Sequence, residues 1–170
     1  METRKTRCDD AQQGDPVFLK LNDAQEYTVR PVGTVVQFYR ISVHTTDGRK
    51  RSVIVQADRK DEVAAMVSKG LTRQAEIEQR YALTVIDRAD GKIKVMEIGT
   101  EVFEAFLLWA RAADEHPGGK GGGNWRIRVE VRRGRRRFHV DFLKRVPFAD
   151  SEYEAFKESR RNYTLAELFK

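Results

Sequence analysis

Three observations in the sequence predict a mainly β domain with a few helices. Short runs rich in β-branched and aromatic residues recur between turn signals along most of the chain. One segment, residues 102–110, has apolar residues at helical spacing. The chain has 170 residues, of which 40% are hydrophobic and 34% charged, and this is enough to bury a core without a metal or disulfide staple.

The first half of the chain is predicted to form strands that each pair with the strand before. Pro31 and Gly33 interrupt this series, and a turn signal at residues 45–48 precedes its last member. The strand segments are residues 17–21, 26–30, 34–43 and 51–56. Residues 61–67 and 73–79 have helical character and interrupt the β pattern.

The second half returns to strands and then adds helices. Strands at residues 81–87 and 92–98 flank Asp90 and Gly91, a pair that is typical of hairpin turns. The apolar helical segment follows, and the glycine-rich residues 116–123 are interpreted as a flexible hinge before a last hairpin. Two short helices are predicted near the end, over residues 151–160 and 164–170, each opened by a capping-box spacing.

The last hairpin carries a focused positive charge. Residues 120–145 contain ten Lys or Arg and two acidic residues, whereas the whole chain has a formal net charge of +6. Segments 125–131 and 138–142 alternate apolar and polar residues around a glycine-centred turn, which predicts a β-hairpin with a polycationic tip. The arginines of its polar face and tip suit a phosphate backbone: Arg126, Arg128, Arg132, Arg133, Arg135, Arg136 and Arg137.

Binding of single-stranded nucleic acid also uses aromatic faces on which bases stack. Phe38 beside Arg40 is expected to be the exposed stacking residue of its strand. Tyr81 and Trp125 open their strands and are candidates at the rim, and the alternative for each of these aromatics is a place in the core. Together with Arg40, the neighbouring cations Lys50 and Arg51 are expected to extend the positive surface into a groove.

The sequence has no recognisable catalytic or metal-binding motif. The three histidines are far apart and lack ligand spacing, and Cys8 is the only cysteine, which excludes a disulfide framework and favours a reducing compartment. Lys120 is followed by Gly121 rather than by Ser or Thr, so the glycine-rich segment is not a phosphate-binding loop. We therefore expect a non-enzymatic cytoplasmic protein with no cofactor, no metal and no membrane span.

The order of the elements is compatible with a small Greek-key barrel of the OB type, with a helix before the last hairpin and short C-terminal helices. A twisted open sheet packed on a helix fits the same order. The predicted organisation is a flexible N-terminal arm over residues 1–16, an OB-fold-like nucleic-acid-binding domain over residues 17–148 and a C-terminal helical tail over residues 149–170.

Residues 85–99 and the helix that follows them resemble the replication single-stranded DNA-binding proteins of tailed phages. In that OB-fold family a strand, a turn with Asp-Gly, a strand ending in Ile-Gly and a helix lead into a last basic hairpin. Residues 18–21 and 27–33 are also similar to its first strands. Two features depart from the family: residues 58–79 have no Cys or His for its zinc insertion, and the C-terminal residues mix acidic with basic side chains instead of forming an acidic tail.

The resemblance implies a protein that coats single-stranded DNA with little sequence preference during phage or mobile-element replication or recombination. Its location is then the host cytoplasm if the source is viral. Its C-terminal tail is then expected to contact replication or recombination proteins. Two alternatives stay open. One is a structural or interaction protein that docks an acidic partner through the basic hairpin, and the other is a binder of RNA or duplex DNA.

Overall fold

A computed structural model of the protein describes residues 14–170, which form one mixed seven-stranded sheet with helices on both faces. The predicted arm over residues 1–16 therefore lies almost wholly outside the described residues, as does Cys8. The strands are β1 (Phe18–Leu19), β2 (Glu26–His44), β3 (Lys50–Gln56), β4 (Ile77–Asp87), β5 (Ile93–Gly99), β6 (Gly123–Arg132) and β7 (Arg135–Arg145). The α-helices are α1 (Lys60–Ser68), α2 (Thr100–Ala113), α3 (Asp150–Asn162) and α4 (Leu165–Leu168), and Gln74–Glu76 form a 3-10 turn. The prediction of a mainly β domain with helices is confirmed.

The long strand β2 organises the sheet. One of its edges pairs with β4, and the other pairs with β6 near the start of β2 and with β3 near its end. The strand order is β1-β5-β4-β2-β6-β7, with β3 beside β2. All pairs are antiparallel except β1 with β5. Within residues 14–170 no pairing joins β5 to β7, so the sheet is open on that side.

Three local predictions are wrong. Residues 26–44 form one strand and not two, because a bulge between Val32 and Val35 accommodates Gly33 at a φ of 75°. Residues 77–79 belong to β4 and not to a helix, because their backbone pairs with residues 39–41 of β2. The strands also do not pair in sequence order, since β3 pairs with β2 and β4 then returns to the other edge of β2.

Helices cover both faces of the sheet. On one face, Val102 and Phe106 of α2 pack against a core that includes Leu83 and Ile127. The other face is covered by the C-terminal segment, where Phe156 of α3 packs against β2 and β4 and Phe169 packs on Phe38. The hairpin of β6 and β7 extends beyond these covered regions, with its tip exposed.

The glycine-rich connection between α2 and β6 is closely packed and is not the predicted flexible hinge. The amide of Gly33 donates to the carbonyl of Gly118 at 2.9 Å, and a Cβ on Gly118 would lie only 2.1 Å from the Gly33 oxygen. Glycine is needed here for this close backbone approach. Arg30, which is 0% exposed, donates to the carbonyls of Pro117 and Gly119 at 3.1 and 2.8 Å and so ties the connection to β2.

Arg30 stays charged in this buried position. Its Nε also donates to the carbonyl of Val146 at 2.9 Å, and its guanidinium lies 3.9 Å from the centre of the Phe148 ring. Burial, with Arg88 nearby, lowers the pKa of Arg30 to about 10, which still leaves the side chain protonated at neutral pH. Backbone carbonyl groups and the face of the Phe148 ring therefore stabilise the buried positive charge of Arg30.

Candidate nucleic-acid interface

β6 and β7 form the hairpin that the alternating sequence predicts. Arg132 pairs with Arg135, and the two residues between them, Arg133 and Gly134, have φ angles of 51° and 73°. Two consecutive positive φ angles in a two-residue loop are typical of a type I′ turn, whose twist matches that of the flanking strands. The turn presents Arg133 at the extreme end of the hairpin.

The register of the hairpin separates a core face from an outer face. Trp125, Ile127 and Val129 pair with apolar residues of β7 and belong to the core face. Residues that are directly opposite each other share a face, so the outer face is identified by the remaining pairs. Its Lys and Arg residues are Arg126, Arg128, Arg132, Arg135, Arg137 and Lys144. Only two carboxylates, those of Glu130 and Asp141, lie on this face of the hairpin, which therefore keeps an excess of positive charge.

The two carboxylates contact three arginines of β6 and His139 of β7. Asp141 Oδ2 lies 3.2 Å from Arg126 Nη2 and 3.8 Å from Arg128 Nη2. Glu130 contacts His139 at 2.9 Å and Arg132 at 3.7 Å, and these neighbours lower the pKa of its carboxyl group. At the tip, no carboxylate of the described residues lies within 4.0 Å of the three exposed side chains of Arg133, Arg135 and Arg137.

Arg136 has a different role from the other tip arginines. It pairs with Val131 and so points to the core side of the hairpin. Its Nε lies 2.7 Å from the Asp23 carboxylate, its Nη2 donates to the Leu21 carbonyl, and its guanidinium lies 5.3 Å from the centre of the Phe138 ring. Arg136 therefore fastens the tip to the segment after β1 and points away from the outer face that carries the other tip arginines.

The three predicted stacking residues are buried, with exposures of 0% for Phe38, 6% for Tyr81 and 2% for Trp125. The Phe169 ring stacks on Phe38 with 4.5 Å between ring centres, and the Phe103 ring of α2 stacks on Tyr81 at 3.8 Å. The prediction that these rings are available to bases is therefore wrong, and the alternative that they are core residues is correct.

Trp125 is buried because, as with Phe38 and Tyr81, aromatic rings from other segments pack against its ring. Its ring meets Phe106 of α2 at 4.5 Å and Phe142 of β7 at 5.3 Å between centres, in edge-to-face geometry. Each of the three aromatics lies on a face that a distant segment of the chain covers. Strand alternation identifies the face but does not show what packs on it.

The cations predicted to extend the hairpin surface lie elsewhere, and two of them are neutralised. Arg40 forms a bidentate pair with Glu97, with distances of 2.6 and 3.1 Å, and Lys50 Nζ lies 3.0 Å from Glu76. Arg51 is exposed and pairs with Val43 in the register of β3 with β2. Lys50 and Arg51 thus lie at the end of β2 opposite to the end that pairs with β6, and the continuous groove predicted there is absent from the described residues.

A second polar surface, which the sequence did not reveal, lies at the open side of the sheet. A cavity of about 410 Å³ is lined by Phe18 and Lys20 near β1, Arg80 and Glu97 on β4 and β5, and Arg136 and Phe138 on β7. The signal that identifies it is the alternation of Leu19 and Leu21, which pack against the core, with Phe18 and Lys20. Such an alternation turns the Phe and the Lys away from the α2 core, and the Phe18 ring meets Phe169 edge to face at 6.5 Å between ring centres.

Searches of residues 14–170 and comparisons with known proteins give three further results. No group of three or more His, Cys, Asp or Glu side chains in this part of the chain could hold a metal ion. No helix there is long and apolar enough to cross a membrane. Models of known protein families give no match to the chain, and a search of curated proteins finds no relative.

Proposed function

We propose that the protein binds single-stranded DNA with little sequence preference, without enzymatic activity, through the outer face and tip of the β6–β7 hairpin. The observation that carries this proposal is the exposed tip, where Arg133, Arg135 and Arg137 have no carboxylate within 4.0 Å among the described residues. Guanidinium groups bind phosphate oxygens, and release of the counterions of the nucleic acid favours such binding. The sequence resemblance adds phage or mobile-element replication or recombination as the setting.

The topology supports the finer interpretation of the sheet as a partly open OB-type barrel. β2, β4 and β5 lie side by side as antiparallel strands, with β3 inserted between β2 and β4 in the chain. β6 returns to lie beside β2, which is the strand arrangement of a Greek key. α2 connects β5 to β6, and the Arg133–Gly134 turn connects the last two strands. OB folds bind oligonucleotides with loops that include this last connection, which is the site of the cationic tip here.

The arrangement favours the phosphate backbone as the ligand over base edges. The outer face of the hairpin is charged and lacks Asn and Gln apart from Asn124 at its start, whose side-chain oxygen accepts a hydrogen bond from Arg88 at 3.0 Å. Arg and Lys side chains at a phosphate neutralise charge and carry no sequence information. Partner proteins of replication or recombination would bind the exposed side of α3, because Phe156 and Phe169 are buried in the fold.

The anisotropy of labelled oligonucleotides tests the proposal, with oligo-dT, a matched duplex and an RNA of the same length. An extrinsic label is preferable because Trp125 is 2% exposed and Trp109 packs against it. We expect oligo-dT to bind tightest. If about five phosphates are contacted, the affinity falls on the order of 100-fold between about 50 and 200 mM salt.

Two results of this titration contradict the proposal. Equal or tighter binding of the duplex would favour insertion of the arginine tip into a minor groove. The absence of binding to all three nucleic acids would favour an acidic protein as the partner of the hairpin.

A further inference from the structure

The cavity at the open side of the sheet results from incomplete closure between β5 and β7. β1 has two residues and pairs only with β5, and no pairing among residues 14–170 joins β5 to β7. The opening is bridged instead by the segment after β1, which Arg136 holds through Leu21 and Asp23. The resulting volume of about 410 Å³ lies within the range of roughly 300–1,000 Å³ that is usual for ligand sites.

Two aromatic rings line this cavity, and one of them is accessible to solvent. Phe18 is 47% exposed, whereas the three buried aromatics that the sequence singled out are at most 6% exposed. The half-buried ring of Phe138 on β7 lines the same cavity from another segment. Aromatic faces bind flat heteroaromatic rings by stacking, and every nucleobase offers such a face.

Cations from three segments line the cavity. Arg80 and Arg136 are paired with Glu97 and Asp23, whereas the side chain of Lys20 is exposed. Arg80 is held in place by Glu97, whose Oε1 lies 3.0 Å from its Nε. Gly99 lies next to the Arg80 side chain, since a Cβ at position 99 would be 3.0 Å from Arg80 Nη1. An aromatic face with cations around it is the combination that binds a base together with its phosphate.

Arg136 connects this cavity to the proposed binding surface. It stands between Arg135 and Arg137 of the tip, yet its own side chain lines the cavity. A single DNA strand whose phosphates contact the tip therefore needs only a short further length of DNA to reach the cavity. A base of a duplex is already paired and stacked, so an unpaired base fits this arrangement better.

We propose that the cavity receives one base of the bound single-stranded DNA, stacked on Phe18, with the adjoining phosphate near Lys20. This inference rests on the proposed function and adds to it a non-electrostatic contact. The strand then runs from the arginine tip into the opening between β5 and β7. Phe18 takes the role that the sequence had assigned to the buried Phe38.

The test compares Phe18→Ala with Tyr153→Ala, which removes an aromatic of similar exposure (45%) on α3 outside the cavity. We expect Phe18→Ala to weaken oligo-dT binding roughly 5- to 100-fold, the range for loss of one stacked base. The dependence of affinity on salt should stay as in the wild type, because no cation is removed. Tyr153→Ala should bind like the wild type, and Phe18→Tyr should recover most of the affinity.

Photo-crosslinking with oligonucleotides that contain 5-bromodeoxyuridine gives a second measurement, with the crosslink expected at Phe18 or Phe138. Wild-type affinity in Phe18→Ala, an equal loss in Tyr153→Ala, or crosslinks only at other residues would overturn the inference. The proposed function survives these results as long as the wild type binds oligo-dT in a manner that depends on the tip arginines. A wild type that does not bind single-stranded DNA overturns both. Thermal unfolding of each variant confirms that it is folded.

Discussion

The arginines of β2 and the arginines of the hairpin tip serve different purposes. Arg30 is buried and donates to backbone carbonyls, and Arg40 is paired with Glu97. Arg133 and Arg135, by contrast, are exposed and have no carboxylate within 4.0 Å among the described residues. A buried cation is tolerated only when the protein supplies partners, whereas an exposed cation keeps its water until a ligand replaces it. The first group therefore contributes to stability, and the second is available for binding.

Removal of Arg30 should have the largest effect on stability. Arg30→Met leaves the carbonyls of Pro117, Gly119 and Val146 without their donor, and an unsatisfied buried acceptor costs about 1–3 kcal/mol. We expect the free energy of unfolding in urea to fall by roughly 3 kcal/mol or more. Arg30→Lys should recover only part of this loss, because an ammonium lacks the planar fork. A loss below about 1 kcal/mol would mean that the carbonyls find other donors.

Glu97→Gln should have an intermediate effect, because it removes the charged partner of both Arg40 and Arg80. Hydrogen bonds to charged groups contribute about 1.5–3 kcal/mol each, and the Glu97 side chain is 23% exposed, so we expect the free energy of unfolding to fall by roughly 2 kcal/mol. The control is Glu62→Gln, whose pair with Arg59 at 3.2 Å is about half exposed. If both substitutions have the same effect in urea denaturation, the Arg40–Glu97 pair is not structural.

Glu76→Gln should have the smallest effect on the free energy of unfolding, and this effect should depend on pH. Hydrogen bonds from Lys50 and His44 lower the pKa of Glu76 from 4.5 to about 2. The stabilisation is therefore fully present above pH 4.5 and is lost as the pH falls towards 2, where the carboxylate is protonated in the folded state as well. The difference in unfolding free energy between the wild type and Glu76→Gln should shrink over this interval. A difference that is the same at pH 7 and pH 2 would show that charge is not its cause.

The sequence revealed the hairpin but not the covering of the sheet. Alternation in β6 and β7 is a local pattern, and the type I′ turn needs only two residues, so both faces of the hairpin and its cationic tip could be predicted. The burial of Phe38 depends on Phe169, which is distant in the sequence. Local periodicity contains no information about such a contact, and this is why the predicted stacking residues were wrong.

The glycines of the α2–β6 connection show a similar limit. A run of glycines is compatible both with flexibility and with close backbone approach, and only the tertiary contact between Gly118 and Gly33 distinguishes them. Phe18, in contrast, could have been recognised as exposed. It alternates with Leu19 and Leu21, both of which pack against the core.

The salt dependence of oligo-dT binding tests most directly the claim that the hairpin tip binds the DNA backbone. It is measured in two variants that each lose three exposed cations. One variant replaces Arg133, Arg135 and Arg137 by Ala at the tip, and the control replaces Arg51, Lys60 and Lys69 at the far end of β2 and around α1. Three lost phosphate contacts should lower the slope of log affinity against log salt by about 2, so that the change in affinity between about 50 and 200 mM salt becomes roughly 20-fold smaller. The control should keep the wild-type slope. Equal slopes in the two variants would show that only net charge matters and would contradict binding at the hairpin tip.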